Sequence, residues 1–379
     1  MLCHRLRYNR AVFYPHILPV QAADTPHFRI AVVRFSALGD LVLVAAAVRA
    51  LQAQLPDAHI TWLTSPLAYS LLQGMAGVTF VVRDKPRSFK DYLSFYREFR
   101  QQKFDVVLAM QANLRINLLY PALRARSKIG FDKTRAREGQ WLFCNRRIAF
   151  ADTHLLDSFL AFVETLTGRA AQAVHGLPVA EADLTWARAQ LSAQPKPWLA
   201  VHPVASKAER NWLPERYRAV IEHAVTNHHA SIVLTGGNSA EEQVICAQLA
   251  DSAPTSILNL CGKTTPQQLT ALLSLVDVLI APDTGAVHIA RSMDTPVIGL
   301  YAVASPKLTG PYQAMDFCVD AYPQAVQKFL GKSVAQLAWN TRVHHRDAMA
   351  LITVEAVVAQ LARVLALRNP STSSGRTVD

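Results

Sequence analysis

Two predicted strand-to-helix turns carry side chains that could do chemistry at the edge of a parallel sheet. The first spans residues 34–40 (RFSALGD), which follow the β-branched run RIAVV and precede an apolar helical stretch. The second spans residues 282–288 (PDTGAVH), which follow the apolar run VLIA. A carboxylate at such a turn can accept a proton, and the backbone N–H groups that begin a helix can bind an anion. Both turns are therefore candidates for a catalytic or ligand-binding site.

Each turn also has a purely structural interpretation. Asp40 stands where a helix begins, so an N-cap is the simpler interpretation of its spacing. Asp283 can be a cap in the same way, and His288 can be a packed helix residue. The functional interpretation is that Gly285 lets a ligand approach the backbone while the N–H groups of residues 284–286 point at an anion. The first turn has a single glycine and no GxGxxG, so a nicotinamide-dependent dehydrogenase is not expected.

Two further segments are predicted to reach the same edge as the second turn. Ser206, Lys207 and Arg210 follow the strand pattern WLAVHPV and offer two cations where a diphosphate could lie. Glu241 and Glu242 follow the pattern ASIVLTGG and stand in the first turn of the next helix. A solvated loop and ordinary helix-dipole complementarity are the alternative explanations.

The elements that must position these residues alternate along the chain. Short β-branched runs (RIAVVRF, AHITWLT, TFVVRD, FDVVLAM) are separated by helical stretches, and the same alternation restarts at WLAVHPV after a Pro-, Ala- and Gln-rich segment. The later strand patterns are ASIVLTGG, SILNLCG, VLIAPD and PVIGLYA. Strands that alternate with helices of ten or more residues predict parallel sheets with crossover helices. We therefore expect two α/β units in tandem.

Composition limits the classes of protein and partner. The chain has 379 residues, of which 51% are hydrophobic and 18% charged, so sizeable cores are expected and a wholly disordered chain is excluded. The five cysteines are widely spread without zinc or redox spacing, which favours free thiols in a reducing compartment. The chain contains no run of about 18 uncharged apolar residues, so no transmembrane helix is expected.

The net charge of +11 points to anionic partners, and it lies entirely in the first half. Residues 1–175 carry 23 Lys and Arg against 12 Asp and Glu, whereas residues 176–379 carry 16 of each. Much of the excess falls in residues 124–147, for which a solvated loop is the alternative to a binding patch. The cations of this segment are Arg124, Arg126, Lys128, Lys133, Arg135, Arg137, Arg146 and Arg147.

Residues 1–27 begin with three arginines and continue into AVFYPHILPVQAA, which loosely imitates a signal peptide. Pro15, His16 and Pro19 interrupt the apolar region, so a tail ahead of the first strand is the preferred interpretation.

The series of motifs resembles that of the family 9 glycosyltransferases, the bacterial heptosyltransferases of lipopolysaccharide core assembly. The segments that carry the resemblance, in order over about residues 28–365, are RFSALGD, ASKAERNW, TGGNSAEE and APDTGAVHIARSMDTPVIGLY. The D-T-G-x-x-H element is the most specific of them. GFDKTRAREGQW, with the following HLLDSF, resembles the acceptor-side segment of the heptosyltransferase branch.

The resemblance implies a GT-B fold, in which two Rossmann-like, doubly wound α/β domains face a central cleft. The expected organisation is a tail at residues 1–27, an acceptor-binding domain at 28–175, a nucleotide-sugar-binding domain at 176–352, and a C-terminal helix with a frayed tail at 353–379. The family is inverting and uses ADP-heptose without a metal, so no cofactor is expected. The absence of a D-x-D motif from this chain agrees with that expectation.

The resemblance also suggests roles for individual residues. Asp40 matches the general base, Arg210 the cation at the donor phosphates, and either Glu241 or Glu242 the ribose contact. The full donor-binding set is Ser206, Lys207, Arg210, Glu241, Glu242, Asp283, Thr284, Gly285, Ala286 and His288. The expected acceptor-binding set is Ser36, Gly39, Arg124, Arg126, Lys128, Lys133, Arg135 and Arg137.

The expected function is metal-independent, inverting transfer of heptose from ADP-heptose to the lipopolysaccharide inner core. The expected partners are a nucleotide-sugar, the core precursor and the acidic cytoplasmic face of the inner membrane, with no nucleic acid and an oligomeric state left open. One alternative is a GT-B transferase that uses another nucleotide-sugar donor on a surface glycan. Another is a non-catalytic anion- or nucleic-acid-binding protein. Against the latter, residues 124–147 are expected to lack interleaved exposed aromatic side chains.

Overall fold

The computed structural model describes residues 28–251 and 257–368. The tail expected at residues 1–27 and the frayed end after residue 368 lie outside the described residues.

Both sheets consist of six parallel strands. The first contains Arg29–Val33 (β1), His59–Thr64 (β2), Val78–Val82 (β3), Lys103–Leu108 (β4), Arg124–Gly130 (β5) and Arg146–Arg147 (β6). The second contains Trp198–Val201 (β7), Ser231–Leu234 (β8), Leu258–Asn259 (β9), Val278–Pro282 (β10), Val297–Tyr301 (β11) and Val319–Asp320 (β12).

Helices connect the strands and cover both sheets. Those of the first unit are Leu38–Gln54 (α1), Pro66–Leu72 (α2), Phe89–Phe99 (α3), Leu114–Asn117 (α4) and Leu155–Thr167 (α5). Those that follow are Glu181–Leu191 (α6), Pro214–His228 (α7), Ala240–Asp251 (α8), Pro266–Leu275 (α9), Gly285–Ser292 (α10), Pro306–Thr309 (α11), Tyr322–Leu330 (α12) and Val354–Arg368 (α13). The short 3₁₀ helices are Gln140–Leu142, Ala208–Arg210, Val334–Gln336 and Met349–Leu351.

The two sheets share one strand order. The first runs β3-β2-β1-β4-β5-β6, and the second runs β9-β8-β7-β10-β11-β12 when read in the same direction. This is the doubly wound Rossmann order, whose ligand site lies at the carboxyl ends of the two strands where the order reverses. Those strands are β1 and β4 in the first sheet and β7 and β10 in the second. The expected fold class is confirmed.

One alternative interpretation of the sequence is excluded by the strand at residues 124–130. Residues 124–130 form β5, a strand that pairs with β4 from Lys103–Arg124 to Leu108–Ile129, so this basic stretch is not a solvated loop. Charged or polar side chains alternate there with smaller ones, and Ser127 and Ile129 are buried. The two-residue alternation typical of a strand therefore decides the structure of this segment, and its high content of charged residues does not.

A continuous apolar core joins the two units. Helix α1 is buried around its whole circumference from Leu41 to Val48, because it packs against α5 of its own unit and α10 of the other. Helix α2 likewise packs against α9, and buried residues of both units belong to one cluster. Helix α13 packs on α7 and adds Val357 and Leu361 to the core of the second unit.

Candidate active site

Asp40 is held at the carboxyl end of β1 by an ion pair. Helix α1 begins at Leu38 with Ala37 as its N-cap, so Asp40 is the third helical residue and caps the helix by accepting from the Ala37 N–H rather than as the N-cap itself. Its carboxylate pairs with Arg34 and lies 3.4 Å from the backbone N of Ala37. The Arg34 guanidinium also donates to the carbonyl of Met110 at 2.6 Å, which ties β1 to the end of β4. The Asp40 side chain keeps 28% of its surface exposed.

The turn at residues 282–288 contacts the N-terminus of α1, the helix that carries Asp40. A Cβ atom built on Gly285 comes 3.2 Å from the backbone N of Gly39, and one built on Gly39 comes 2.8 Å from Cδ2 of His288. The two helix N-termini therefore touch, and neither position has room for a side chain. The expected reason for a glycine at 285, ligand approach, is replaced by close packing against α1.

His288 lies under this contact. Burial lowers the pKa of its ring, against the opposing influence of Asp283 and Asp40, so the ring is neutral at physiological pH. Its Nδ1 has no hydrogen-bond partner among the described residues. The ring therefore brings an unused polar atom to the boundary between the two units.

Asp283 is the centre of a charge cluster at the end of β10. Its Oδ2 lies 3.2 Å from the guanidinium of Arg210 and 3.5 Å from that of Arg342. One carboxylate thus holds two arginines that each keep about a fifth of their surface exposed, 17% and 21%. Thr284 is the N-cap of α10 and its Oγ1 accepts from the Ala286 N–H at 3.1 Å, so that N–H group already has a partner.

The two candidate glutamates differ in their surroundings. Glu242 accepts hydrogen bonds from the Gly237 N–H at 2.8 Å and from the Ser239 hydroxyl at 2.6 Å. Burial opposes ionisation of Glu242, but these hydrogen bonds prevail and lower its pKa. Glu241 is exposed, and among the described residues its side chain has one hydrogen-bond contact, with the Asn211 amide at 3.4 Å. Glu242 therefore stabilises the loop at Gly237 and Ser239 by hydrogen bonds, and the exposed Glu241 is the carboxylate available to a ligand.

The loop after β7 is open to solvent at its tip. Ser206 and Lys207 are exposed, and the following 3₁₀ turn carries Arg210 back to Asp283. Of the two predicted cations, only Arg210 is thus placed against the turn that follows β10.

A pocket of about 390 Å³ lies at the start of α1 in the first unit and is lined by Ser36, Ala37 and Leu38. Lys85 donates to the Ser36 hydroxyl at 2.5 Å, and burial, followed by the charges of Arg115 and Arg34, lowers the pKa of Lys85. Arg87 and Arg115 also line the pocket, and with Lys85 they outnumber the one acid of the lining, Asp84, by three to one. Lys85 and Arg87 follow β3 and Arg115 follows β4, so the rule that found Asp40 could have found them too.

The basic residues predicted for the acceptor do not form one patch. Arg124 begins β5 and donates to the Arg100 carbonyl, which places it at the amino end of the strand, opposite the pocket. Lys128 is half-buried, donates to the Tyr120 carbonyl at 2.6 Å, and has its pKa lowered by burial. Arg126 is exposed on the same strand.

Arg135 is buried and makes structural contacts, and its acceptor role stays a prediction. Its guanidinium is buried, pairs with Asp132, donates to Ser158, and reaches the Ala149 carbonyl at 2.9 Å. Lys133 and Arg137 remain exposed. The expectation that this segment lacks exposed aromatic side chains is wrong, because Trp141 is 47% exposed.

Comparison with known proteins decides the family. A family model described as glycosyltransferase family 9 (heptosyltransferase) matches residues 92–339. The lipopolysaccharide core heptosyltransferase OpsX of Haemophilus influenzae is 34% identical over 334 residues, which are 88% of this chain and 96% of that protein. The chain belongs to glycosyltransferase family 9.

Solved structures of family 9 members share the fold. A family 9 glycosyltransferase from Veillonella parvula aligns with a TM-score of 0.74 at 20% identity, over 89% of this chain and 97% of that one. Escherichia coli heptosyltransferase WaaC with ADP aligns with a TM-score of 0.68 at 19% identity, over 89% and 99%. The GT-B architecture and the assignment as a glycosyltransferase are therefore confirmed.

Three features of this family 9 site are not predicted by the sequence analysis. Arg34 stands in the first motif but was not assigned a role, and Arg342 lies in an irregular segment 59 residues after its partner Asp283. Lys85 shares the edge of the sheet with Asp40. Over residues 28–251 and 257–368, no group of three or more metal-ligating side chains is found, and no helix has the length and apolarity needed to cross a bilayer.

Proposed function

We propose that this protein transfers heptose from ADP-heptose to the inner core of lipopolysaccharide, with inversion at the anomeric carbon and Asp40 as general base. The observation that carries the proposal is the placement of Asp40, across the Gly39–Gly285 contact from the turn that holds Asp283. The relationship to a lipopolysaccharide core heptosyltransferase supports the donor and the acceptor.

The reaction is a single displacement. The acceptor hydroxyl oxygen attacks the anomeric carbon, its proton passes to Asp40, and ADP leaves with the electron pair of the broken bond. Arg34 orients the carboxylate by its ion pair. The leaving diphosphate gains negative charge, which Arg210 and Arg342 offset by exchanging part of their contact with Asp283 for the phosphates. No metal or cofactor takes part in this scheme.

The donor nucleotide and the acceptor sugars occupy opposite units. Glu241 binds the ribose, and Ser206 and Lys207 reach the diphosphate from the loop after β7, opposite the turn at Asp283 and Thr284. The acceptor enters the pocket of Ser36, where Lys85, Arg87 and Arg115 meet its anionic groups. Lys133 and Arg137 extend this cationic surface beyond the pocket. The enzyme works in the cytoplasm, peripheral to the inner membrane.

Asp40→Asn tests the assignment, because the amide keeps the size of the side chain and cannot take the proton. We expect kcat to fall by about 10²–10⁴-fold while the ADP dissociation constant stays within about twofold. Asp57→Asn, at an exposed position, is the matched control. Full turnover by Asp40→Asn would refute the role of Asp40.

A thermal-shift comparison tests the donor. At a ligand concentration of 100 Kd, binding to the folded state stabilises it by about 2.7 kcal/mol. We expect ADP to raise the melting temperature more than UDP does at equal concentration. A larger shift with UDP would replace ADP-heptose by a UDP-sugar.

A further inference from the structure

The first unit exposes large apolar side chains on one side of α3 and α4. Phe89, Leu93 and Tyr96 are spaced by four and three residues on α3, so they share one face, and they are 76%, 38% and 37% exposed. Leu114 and Leu118, one turn apart beside them, are 53% and 38% exposed. Single exposed apolar residues are ordinary, but a contiguous group marks a contact surface.

Hydrogen bonds join the two helices into one surface. The Tyr92 hydroxyl donates to the Arg115 carbonyl at 3.0 Å, and the Tyr96 hydroxyl donates to the Leu118 carbonyl at 2.9 Å. The apolar side chains of α3 and α4 are therefore neighbours with a fixed spacing.

The 3₁₀ turn at Gln140–Leu142 continues the surface. The Asn117 amide donates to the Glu138 carbonyl at 2.9 Å, which fixes this turn beside α4, and Leu142 is 74% exposed. We call the whole surface the apolar face. Its members are Phe89, Leu93, Tyr96, Leu114, Leu118 and Leu142.

Cations outnumber acids at the border of the apolar face. Lys90, Arg97 and Arg137 are exposed around it. Asp91 accepts from two backbone N–H groups at the start of α3, and Glu138 accepts from the backbone N–H at the start of α4. Both acids cap helices and keep their negative charge, so the three cations exceed the two acids by one.

We propose that the apolar face docks on an anionic lipid bilayer, with its apolar side chains in the headgroup boundary and its cations on the lipid phosphates. This inference rests on the proposed function, since an acceptor anchored in a membrane must be reached from the bilayer surface. Arg115 connects the two sites, because α4 carries it from the apolar face to the lining of the acceptor pocket. A docked enzyme therefore opens that pocket beside the lipid headgroups.

Vesicle co-sedimentation of the full chain tests the proposal without any glycan. The vesicles contain phosphatidylglycerol and phosphatidylethanolamine at 1:3, and phosphatidylcholine vesicles serve as the neutral comparison. We expect the triple variant Phe89→Ser, Leu93→Ser, Leu114→Ser to lower the partition coefficient on anionic vesicles by about tenfold or more. The matched control is Val244→Ser, Val334→Ser, Leu367→Ser, three exposed apolar positions of the second half, which should retain wild-type binding.

A second variant keeps the test valid if the triple variant does not fold. Lys90→Glu with Arg97→Glu should lower binding to anionic vesicles by about tenfold and leave the weaker binding to phosphatidylcholine unchanged. Lys332→Glu with Arg346→Glu is its control, at exposed positions of the second half. ADP affinity, measured on every variant, reports folding and the proposed donor site separately from membrane binding.

The outcomes separate the possible occupants of the face. Loss of vesicle binding in both variants, with both controls unchanged, supports bilayer docking. Equal binding by wild type and variants, or no binding to anionic vesicles by the wild type, overturns it. A wild-type dimer in light scattering that the triple variant dissociates would also overturn it, by making the face an interface between copies. Failure to bind ADP would contradict the proposed function alone.

Discussion

Replacing Gly39 by alanine should separate the two halves of the active site. The added methyl group meets Cδ2 of His288 at 2.8 Å and Cα of Gly285 at 3.3 Å. Ordinary van der Waals contact begins at 3.4 Å, so the N-termini of α1 and α10 must move apart by roughly 0.6 Å. The histidine ring is buried and the other neighbour is backbone, so neither yields easily. We expect a loss of unfolding free energy of about 1–3 kcal/mol.

The same displacement moves Asp40 away from the donor turn. A misplacement of 1 Å can cost about 10²-fold, so we expect kcat to fall by about tenfold, with the ADP dissociation constant nearly unchanged. Gly285→Ala, whose Cβ lies 3.2 Å from the Gly39 nitrogen, should have the smaller effect on kcat. Steady-state kinetics, calorimetric ADP binding and urea unfolding measure these quantities on the same preparations.

Gly331→Ala is the control for stability. Gly331 ends α12 at φ +63° and has nothing within 4 Å of a built Cβ, so alanine there costs about 1–2 kcal/mol through backbone strain alone. It should lower stability comparably without changing kcat. Wild-type kcat in Gly39→Ala, or an equal loss of activity in Gly331→Ala, would refute the geometric argument.

Four further substitutions, one of them with its own control, test the second unit. Glu241→Gln should weaken ADP binding with little change in melting temperature, whereas Glu242→Gln should lower the melting temperature because it breaks the loop's hydrogen bonds; the reverse pattern would exchange their roles. Arg342→Ala should raise the donor KM by about 10–100-fold, the equivalent of 1.5–3 kcal/mol for a charge-assisted bond, and Arg346→Ala, 91% exposed, should not. Burial lowers the pKa of His202 from 6.5 in the unfolded chain to about 4 in the folded one, so protonation of this ring favours unfolding. With respect to this group the folded state is most stable above pH 6.5, and about 3 kcal/mol of unfolding free energy is lost as the pH falls to 4. His202→Gln should flatten the melting temperature between these pH values, and an unchanged slope would contradict the assignment.

Much of the site follows from one topological rule. Asp40, Arg210, Glu241 and Asp283 each come shortly after a predicted strand, and parallel strands bring such residues to the same edge of a sheet. The structure puts these positions after β1, β7, β8 and β10. The sequence therefore predicted at which strand ends these candidate residues lie, although it explained Gly285 by ligand approach rather than by packing against Gly39.

The failures have local physical causes. Arg124, Arg126 and Lys128 dominate a stretch that nevertheless follows the period of a strand, because their alternate neighbours are small or apolar and face the core. The high positive charge of this segment makes its two-residue strand alternation hard to recognise in the sequence. Arg342 has no motif around it, and only tertiary packing brings it to Asp283. No rule of spacing connects positions so far apart along the chain.

The continuous core limits how this enzyme can be re-engineered. Exchanging the nucleotide-binding half with that of another family member looks simple, since each half has a complete sheet of its own. Yet α1 buries one side against α10, and α2 buries part of its surface against α9. A chimera joined only between the sheets would pair two mismatched apolar surfaces and leave cavities or overlaps between them. A functional exchange of donor specificity must therefore carry the facing residues of α1 and α2 with the transplanted half.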